Sequence, residues 1–236
     1  MCILIYNFFK REDSQLILSF NRDELYSRSW EKPKYHWGNG LFGCKDISSS
    51  GSWLVINNYG LIACIINLEV KAIKKKSRGS IPLMINDCKS IKSALTKLKK
   101  QILPYNYLGF NLYLFDQNQL VQISNVRNNA ITSSICVEKI DSPFGIITKH
   151  GINSNEIKRG SNVFPSWIND CKISIHKILL TIKQKLIDKK NGMILKDIEW
   201  GTTSSILINY KDSKTIMWNY SNKLMNFQYD EIPING

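Results

Sequence analysis

The residue with the clearest chemical potential is Cys2, which directly follows Met1 and opens an apolar run, residues 2–6. A small residue at this position allows an aminopeptidase to remove Met1. The chain would then begin with a cysteine whose free α-amine, with a pKa of about 7.7–8.0, can act as a base beside its own thiol. Such a pair is a known route to covalent catalysis. The alternative is that Cys2 is a small buried apolar residue.

A polar quartet about twenty residues later supports the catalytic alternative. The apolar run 16–20 is followed directly by Asn21, Arg22, Asp23 and Glu24. Two extended runs joined by the polar stretch 10–15 predict a hairpin whose free ends bring Cys2 close to Arg22 and Asp23. A guanidinium near a thiol lowers the thiol pKa, and a carboxylate can hold the terminal ammonium. The alternative is a solvated turn whose ion pairs contribute little.

Bulk composition predicts a single globular domain over residues 1–236, since 43% of the residues are hydrophobic and 22% are charged. No apolar run reaches the ~20 residues that span a bilayer. The start also lacks a basic region and contains Asn7 within its apolar run, which argues against a signal peptide. We therefore expect a cytoplasmic protein.

The formal net charge of +13 is spread along lysine-rich stretches. Basic chains attract nucleic acid, anionic membrane surfaces or acidic ligands. The abundance of Ile, Lys and Asn is typical of an AT-rich genome, which accounts for much of the excess. No zinc-finger, RRM or KH pattern is present, so we expect no nucleic-acid partner. A small anionic or amphipathic ligand and transient contact with a membrane surface remain compatible with the charge.

The cysteines and histidines predict no metal site. The six cysteines form no CxxC pair, and several lie in apolar runs, as expected of free thiols in a reducing compartment. The three histidines have no ligand spacing. His36, among Trp30, Tyr35 and Trp37, is a candidate wall of a ligand slot; core aromatic packing is the alternative.

Periodicity predicts an α+β fold with antiparallel sheets and helices packed on their outer faces. We expect helices over about 81–103 and 166–188. The expected strands lie at 2–8, 16–20, 53–57, 61–67, 111–115, 120–125, 133–138, 204–210 and 215–220. The Asn57–Gly60 segment predicts a tight hairpin turn.

The ordered motifs of the chain resemble the NRDE family, also called the transport and Golgi organisation 2 family. The matching segments span nearly the whole length. They are Met1-Cys2, Asn21 to Glu24 with Ser27-Arg28, Gly51 to Leu54, Asn67, Ser77 to Gly79, Gly109 to Leu112, and Gly201-Thr202.

This resemblance implies the fold of N-terminal-nucleophile hydrolases, a four-layer αββα sandwich. By resemblance, the catalytic positions of cysteine-type members, such as bile salt hydrolases and penicillin V acylases, fall on Cys2, Arg22, Asp23 and Asn67. The remaining candidates, for ligand binding, are Asn21, Glu24, Arg28, His36, Arg78 and Asn111.

Two motifs depart from the family pattern. The last motif usually reads Gly-Thr-Arg, whereas this chain has Thr203 in the third position. The family also often has Ser-Asn after a glycine-rich turn, and here Asn153 or Asn155 would have to supply that amide. An oxyanion donor is typically worth about 2.7–4 kcal/mol of barrier.

The resemblance leaves three functions open. The first is a haem-trafficking protein, with haem as a transported ligand and no required cofactor; Cys2 or His36 would ligate iron. The second is an amide hydrolase with Cys2 as nucleophile. The third is handling of acyl-CoA or anionic lipid, in which Arg22, Arg78 and the lysine-rich loop 71–76 would bind phosphate.

Overall fold

The computed structural model describes residues 2–9, 16–70, 76–154, 163, 170, 172–187, 193–211, 215–221 and 230–235. Their contacts divide the chain into two compact units. The first contains residues 1–27 and 142–235, and the second contains residues 28–141. The second unit is therefore a continuous insertion between the two segments of the first. The expectation of one domain over residues 1–236 stays a prediction.

The first unit contains a seven-stranded antiparallel sheet. Its strands are β1 (Ile3–Phe8), β2 (Leu16–Leu25), β10 (Phe144–Thr148), β11 (Gly151–Ile152), β12 (Trp200–Lys211), β13 (Thr215–Ser221) and β14 (Asp230–Asn235). Their order is β11-β10-β1-β2-β12-β13-β14. The central position of β2, between β1 and β12, places residues from both ends of the chain side by side.

One face of this sheet packs against the helix α2 (Ile175–Leu186). Ser174 begins the helix because its side chain accepts a hydrogen bond from the main-chain N–H of Lys177. The apolar stripe of α2 then covers inward residues of β1, β2 and β12, including Ile3, Ile17 and Leu207. The expected helix over 166–188 is thus confirmed over Ile175–Leu186 only. Residues 170, 172–174 and 187 are not helical, and residues 166–169, 171 and 188 lie outside the described residues.

The second unit contains a meander of seven antiparallel strands in sequence order. They are β3 (Trp30–Lys34), β4 (Leu41–Asp46), β5 (Leu54–Asn57), β6 (Ile62–Asn67), β7 (Phe110–Phe115), β8 (Leu120–Arg127) and β9 (Ala130–Ile140). The β5–β6 turn forms as expected. The side-chain oxygen of Asn57 accepts from the N–H groups of Tyr59 and Leu61, and Gly60 has a φ of 78°.

The helix expected over 81–103 is shorter in the structure. It divides into two 3-10 turns, Arg78–Ser80 and Pro82–Ile85, and the helix α1 (Ile91–Gln101). A capping box between Ser90 and Ser93 starts α1 late, because each side chain accepts from the other residue's backbone N–H. Asn57 anchors the preceding turn by donating to the carbonyls of Ile85 and Cys88.

Within the described part of the chain, no helix has both the length and the apolar character needed to cross a bilayer.

Candidate active site

The β1–β2 hairpin brings the thiol of Cys2 to the polar quartet. Ile3 pairs with Asn21, so one residue further along the ladder Cys2 lies beside Arg22. The Sγ atom of Cys2 lies 3.7 Å from the main-chain oxygen of Asp23, as a weak S–H donor to that carbonyl. The hairpin predicted from the sequence is therefore confirmed, and with it the proximity of these three residues.

The pKa of the Cys2 thiol lies above its ordinary value, contrary to the expectation from Arg22 alone. Burial raises the pKa of Cys2, and the charge of Asp23 raises it further. The charge of Arg22 acts in the opposite direction but is outweighed. The sequence could identify the charges near the thiol but not its desolvation.

Arg22 is almost completely buried, with 4% of its surface exposed. Its guanidinium donates to the hydroxyl of Thr203 at 3.2 Å and pairs with Glu24 at 3.4 Å. Thr203 is the extra residue of a bulge in β12, between the pairs Thr202–Asp23 and Ser204–Arg22. The threonine that replaces the family's arginine thus contacts the site arginine directly.

Asp23 is held by the opposite strand. Its Oδ1 accepts a hydrogen bond of 2.6 Å from the hydroxyl of Thr202, which in turn accepts from the main-chain N–H of Leu195 at 3.0 Å. Gly201 precedes this threonine, and its missing side chain leaves room for the hydroxyl of Tyr26. Sequence analysis singled out Thr202 and Thr203 only through the family motif and did not identify Tyr26, because only the sheet pairing brings these residues to β2.

The Asn21 side chain is used within the fold. Its amide donates to the carbonyls of Leu186 at 3.3 Å and Met193 at 3.0 Å, and its oxygen accepts from Ser205 at 2.6 Å. Asn21 therefore fastens the end of α2 to the sheet. Glu24 is half-buried; besides pairing with Arg22, it accepts from the N–H of Leu25.

The second unit carries the other candidates from the sequence. Asn67 ends β6 and is exposed. Asn111, in β7, is buried; its Nδ2 donates to the hydroxyl of Tyr113 at 3.3 Å, and its Oδ1 has no hydrogen-bond partner among the described residues.

Both arginine candidates of the second unit make structural contacts. Arg28 pairs with the buried carboxylate of Asp46, with two nitrogen–oxygen contacts of 2.5 and 3.3 Å. Arg78 donates to the carbonyls of Leu68 at 3.3 Å and Gly109 at 2.8 Å, which joins two connecting segments. The guanidinium groups of Arg28 and Arg78 therefore both make contacts that stabilise the second unit.

His36 also has defined partners. Its Nε2 lies 2.9 Å from the carbonyl oxygen of Lys32, and its Nδ1 lies 3.6 Å from Glu31. The ring contacts Trp37 edge-on. Burial lowers the pKa of His36, although the Lys32 carbonyl and Glu31 oppose this. The described residues contain no group of three or more His, Cys, Asp or Glu arranged to hold a metal ion.

The expected oxyanion amide has one described candidate. Asn153 has a positive φ of 49°, and its side-chain oxygen accepts from the N–H of Ile146 at 2.9 Å. Asn155 lies outside the described residues. In total, the structure brings together Cys2, Arg22, Asp23 and Glu24 from the sequence-derived set.

Solved structures with similar folds include, by their names, a hydrolase and an amidase. A Cys-to-Ala mutant of conjugated bile acid hydrolase from Clostridium perfringens superposes with a TM-score of 0.59 at 11% identity, over 99% of this chain and 92% of that one. An N-acylethanolamine-hydrolyzing acid amidase ortholog from Caenorhabditis elegans gives 0.51 at 13%, over 90% and 95%. These neighbours confirm the expected α+β fold of N-terminal-nucleophile hydrolases.

Sequence relatives point to one family. The Transport and Golgi organization protein 2 homolog of Homo sapiens is 32% identical over 126 residues, which cover 49% of this chain and 45% of the relative. The mouse homolog is 31% identical over the same length. The match thus spans about half of these relatives. The family model for Transport and Golgi organisation 2 matches residues 1–215, and the chain therefore belongs to that family.

Proposed function

We propose that this protein is a cysteine-dependent hydrolase of amides formed by amphipathic acids. The observation that carries the proposal is the contact of the Cys2 thiol with the segment that contains Arg22 and Asp23. This arrangement lies at the first hairpin of a sheet that belongs to the N-terminal-nucleophile hydrolase fold. The proposal requires removal of Met1, so that Cys2 carries a free α-amine.

The proposed reaction has two steps. The α-amine accepts the thiol proton while Sγ attacks the amide carbonyl carbon, and the C–N bond then breaks as the leaving amine takes that proton. The acyl group remains as a thioester on Cys2. Water attacks the thioester, which releases the acid and restores the thiol. The raised pKa of Cys2 is consistent with this order of reaction steps, because a protonated thiol needs a base at the moment of attack.

Arg22 and Asp23 have complementary proposed roles. Asp23 would hold the terminal ammonium after proton transfer, and its bond to Thr202 fixes its position for that task. Arg22 would balance the negative charge that develops at the thiol and carbonyl. Its contacts with Thr203 and Glu24 hold the guanidinium within the site.

The candidates of the second unit have different proposed roles. Asn67 and Asn111 are proposed as polar contacts for a ligand of the second unit itself, since Asn67 is exposed and Asn111 has an oxygen without a partner among the described residues. Arg28, Arg78 and His36 are proposed to stabilise the fold through the contacts they already make. Asn21 joins this structural group.

Two observations support the proposed substrate class, namely the names of the structural neighbours and the charge of the chain. Conjugated bile acids and N-acylethanolamines both join a largely apolar acyl group to a small polar amine through an amide. A net charge of +13 would favour anionic forms of such compounds. A reducing, cytoplasmic setting is also proposed, as the described cysteines are free.

The first experiment is intact mass spectrometry of untagged protein, followed by incubation with a panel of N-acyl amides. The expected result is loss of Met1, product release and a trapped acyl adduct on Cys2. Cys2→Ala should abolish both, whereas Cys136→Ala, a partly buried cysteine in β9, should retain them. Retained Met1 in the active cellular form, or turnover by Cys2→Ala, would overturn the proposal.

The second candidate is a haem carrier, in which Cys2 ligates iron and Arg22 meets a propionate. The replacement of the family's arginine by Thr203 favours this candidate, since it removes a group from a catalytic site without removing the thiol. Haem binding would give a Soret shift that is lost in Cys2→Ala and kept in His36→Ala. Binding of acyl-CoA in place of haem would favour the lipid-handling alternative.

A further inference from the structure

We propose that the turn after α1 is a docking surface for anionic lipid bilayers. The surface consists of Lys76, Lys99, Lys100, Leu103 and Tyr105, and we call it the lysine–tyrosine patch. It lies entirely within the second unit. The proposal is independent of the reaction proposed for Cys2.

The apolar members of the patch project into solvent. Leu103 is 62% exposed and Tyr105 is 60% exposed, whereas Ile102, Pro104 and Tyr107 between and beside them are buried. This alternation directs two large side chains outward from one short turn. Single exposed apolar side chains are common on protein surfaces, but two large ones side by side are not. The pair Leu103 and Tyr105 therefore indicates an interaction site.

Hydrogen bonds from a buried side chain hold the main chain of the turn that carries Leu103 and Tyr105. The side chain of Asn125 is completely buried and donates to the carbonyls of Pro104 at 3.2 Å, Tyr107 at 3.4 Å and Leu108 at 3.3 Å. Its oxygen accepts from the N–H of Phe110 at 2.8 Å. The outward direction of Leu103 and Tyr105 is therefore built into the fold, and their insertion requires no ordering of a loop.

Three exposed lysines lie on the segments next to this turn. Lys99 and Lys100 are exposed on the last turn of α1, and the main-chain N–H of Lys76 donates to the carbonyl of Asn106 at 2.9 Å, which sets Lys76 beside the turn. From Cys88 to Phe115 the sequence has five lysines and no aspartate or glutamate. An open groove along α1 shares Lys100 with the patch; its lining also includes Lys92, Thr96 and the carboxylate of Asp87, which pairs with Lys97.

A bilayer is the occupant that best matches this combination. Tyrosine prefers the headgroup region, leucine the acyl boundary, and lysines the anionic headgroups above it. The patch projects outward, and a bilayer receives projecting side chains without a shaped cavity. An acidic protein would satisfy the lysines but would have to provide a pocket for Leu103 and Tyr105.

Co-sedimentation with vesicles tests the proposal, with phosphatidylcholine vesicles compared against vesicles that also contain phosphatidylserine. The protein should bind only the mixed vesicles, and salt should release it. Each lysine removed should weaken binding roughly fivefold, so Lys99→Gln/Lys100→Gln should bind about 25-fold more weakly. Leu103→Ser/Tyr105→Ser should remove stable binding.

Matched controls are available elsewhere on the surface. Tyr59→Ser and Leu180→Ser remove side chains of comparable exposure, and Lys172→Gln with Lys196→Gln removes two lysines outside the patch. These controls should bind like the original chain, and circular dichroism should show that every variant is folded. Failure of the original chain to bind mixed vesicles, or equal loss in patch and control variants, would overturn the proposal. Binding to immobilised polyglutamate without binding to vesicles would also overturn it and would indicate an acidic protein partner.

Discussion

Asp23 and Thr202 are 179 residues apart in the sequence, and their side chains are joined by a hydrogen bond of 2.6 Å. The pairing of β2 with β12 creates this contact. Because the same β2 segment also contacts the Cys2 thiol, three strands fix the geometry around one sulfur atom. The reactivity of Cys2 should therefore respond to changes on either side of β2.

Alkylation of Cys2 should report its raised pKa. At neutral pH, iodoacetamide should modify Cys2 more slowly than an exposed cysteine, since burial and the charge of Asp23 favour the protonated thiol. Asp23→Asn should accelerate the reaction and Arg22→Gln should slow it. A pKa change of one unit corresponds to about tenfold in thiolate population.

Peptide-resolved mass spectrometry across a pH series would measure these rates separately from those of the other cysteines. Asp141→Asn, an exposed carboxylate in the second unit, serves as the charge control and should leave the Cys2 profile unchanged. A fast reaction of Cys2 at neutral pH in the original chain would contradict the raised pKa.

Replacement of Asn21 should reduce stability. Asn21→Ala removes three buried hydrogen bonds and leaves the carbonyls of Leu186 and Met193 without that donor. We expect a loss of about 2–4 kcal/mol in the free energy of unfolding. Urea denaturation monitored by circular dichroism would measure it, with exposed Asn39→Ala as the control. A loss no greater than that of the control would show that Asn21 is not a structural anchor.

Gly201 and Tyr26 should be energetically coupled. A methyl group at Gly201 would collide with the Tyr26 hydroxyl and would lie 2.5 Å from the carbonyl oxygen of Leu195. Gly201→Ala should therefore cost about 1–3 kcal/mol. The hydroxyl of Tyr26 is buried and has no hydrogen-bond partner among the described residues, so Tyr26→Phe should be neutral or stabilising.

Thermal unfolding of the two single variants and the double variant completes this test. Tyr26→Phe should recover part of the loss caused by Gly201→Ala, since one of the two close contacts is then removed. Strict additivity of the two effects would show that the Tyr26 hydroxyl does not cause the strain.

The pair Arg28–Asp46 should make stability depend on acid pH. Burial alone would raise the pKa of Asp46, but hydrogen bonds from Arg28 and Ser49 hold it below its ordinary value. This stabilisation is present above the unfolded pKa of about 3.9 and is lost as the pH falls through the lower folded pKa. Asp46→Asn should cost about 1–2 kcal/mol at neutral pH. Denaturation curves across the acid range would measure both effects, and an unchanged acid profile in Asp46→Asn would contradict this assignment.

The sequence was most informative where neighbours in the chain are neighbours in the sheet. The β1–β2, β5–β6, β7–β8 and β12–β13 pairs all have short connections, and their apolar runs indicate them directly. Two of the strands that the sequence did not predict, β3 and β10, have local features typical of loops. β3 contains Pro33 between charged residues, and β10 contains Gly145, which packs closely beneath the ring of Tyr6.

The contacts of the candidate site were likewise predictable from the sequence only where they are made within one hairpin. The proximity of Cys2 and Arg22 could be predicted from the β1–β2 hairpin alone, because a single short connection joins the two strands. The contacts of Thr202 and Thr203 depend on a strand from the other end of the chain, and a β-bulge there shifts the register. The pKa of Cys2 depends on how much protein covers the sulfur, which local sequence does not encode.

The insertion of residues 28–141 between the two segments of the first unit has a consequence for biosynthesis. The strand that carries Arg22 and Asp23 emerges from the ribosome early, but its neighbour β12 is translated only after the whole inserted unit. Because the inserted unit is continuous in the chain, its meander can form before β10 and β12, the later neighbours of β1 and β2, have been translated. A nascent chain that stops before Trp200 lacks the threonines that hold Asp23 and Arg22, so the surroundings of the thiol are completed only near the end of synthesis.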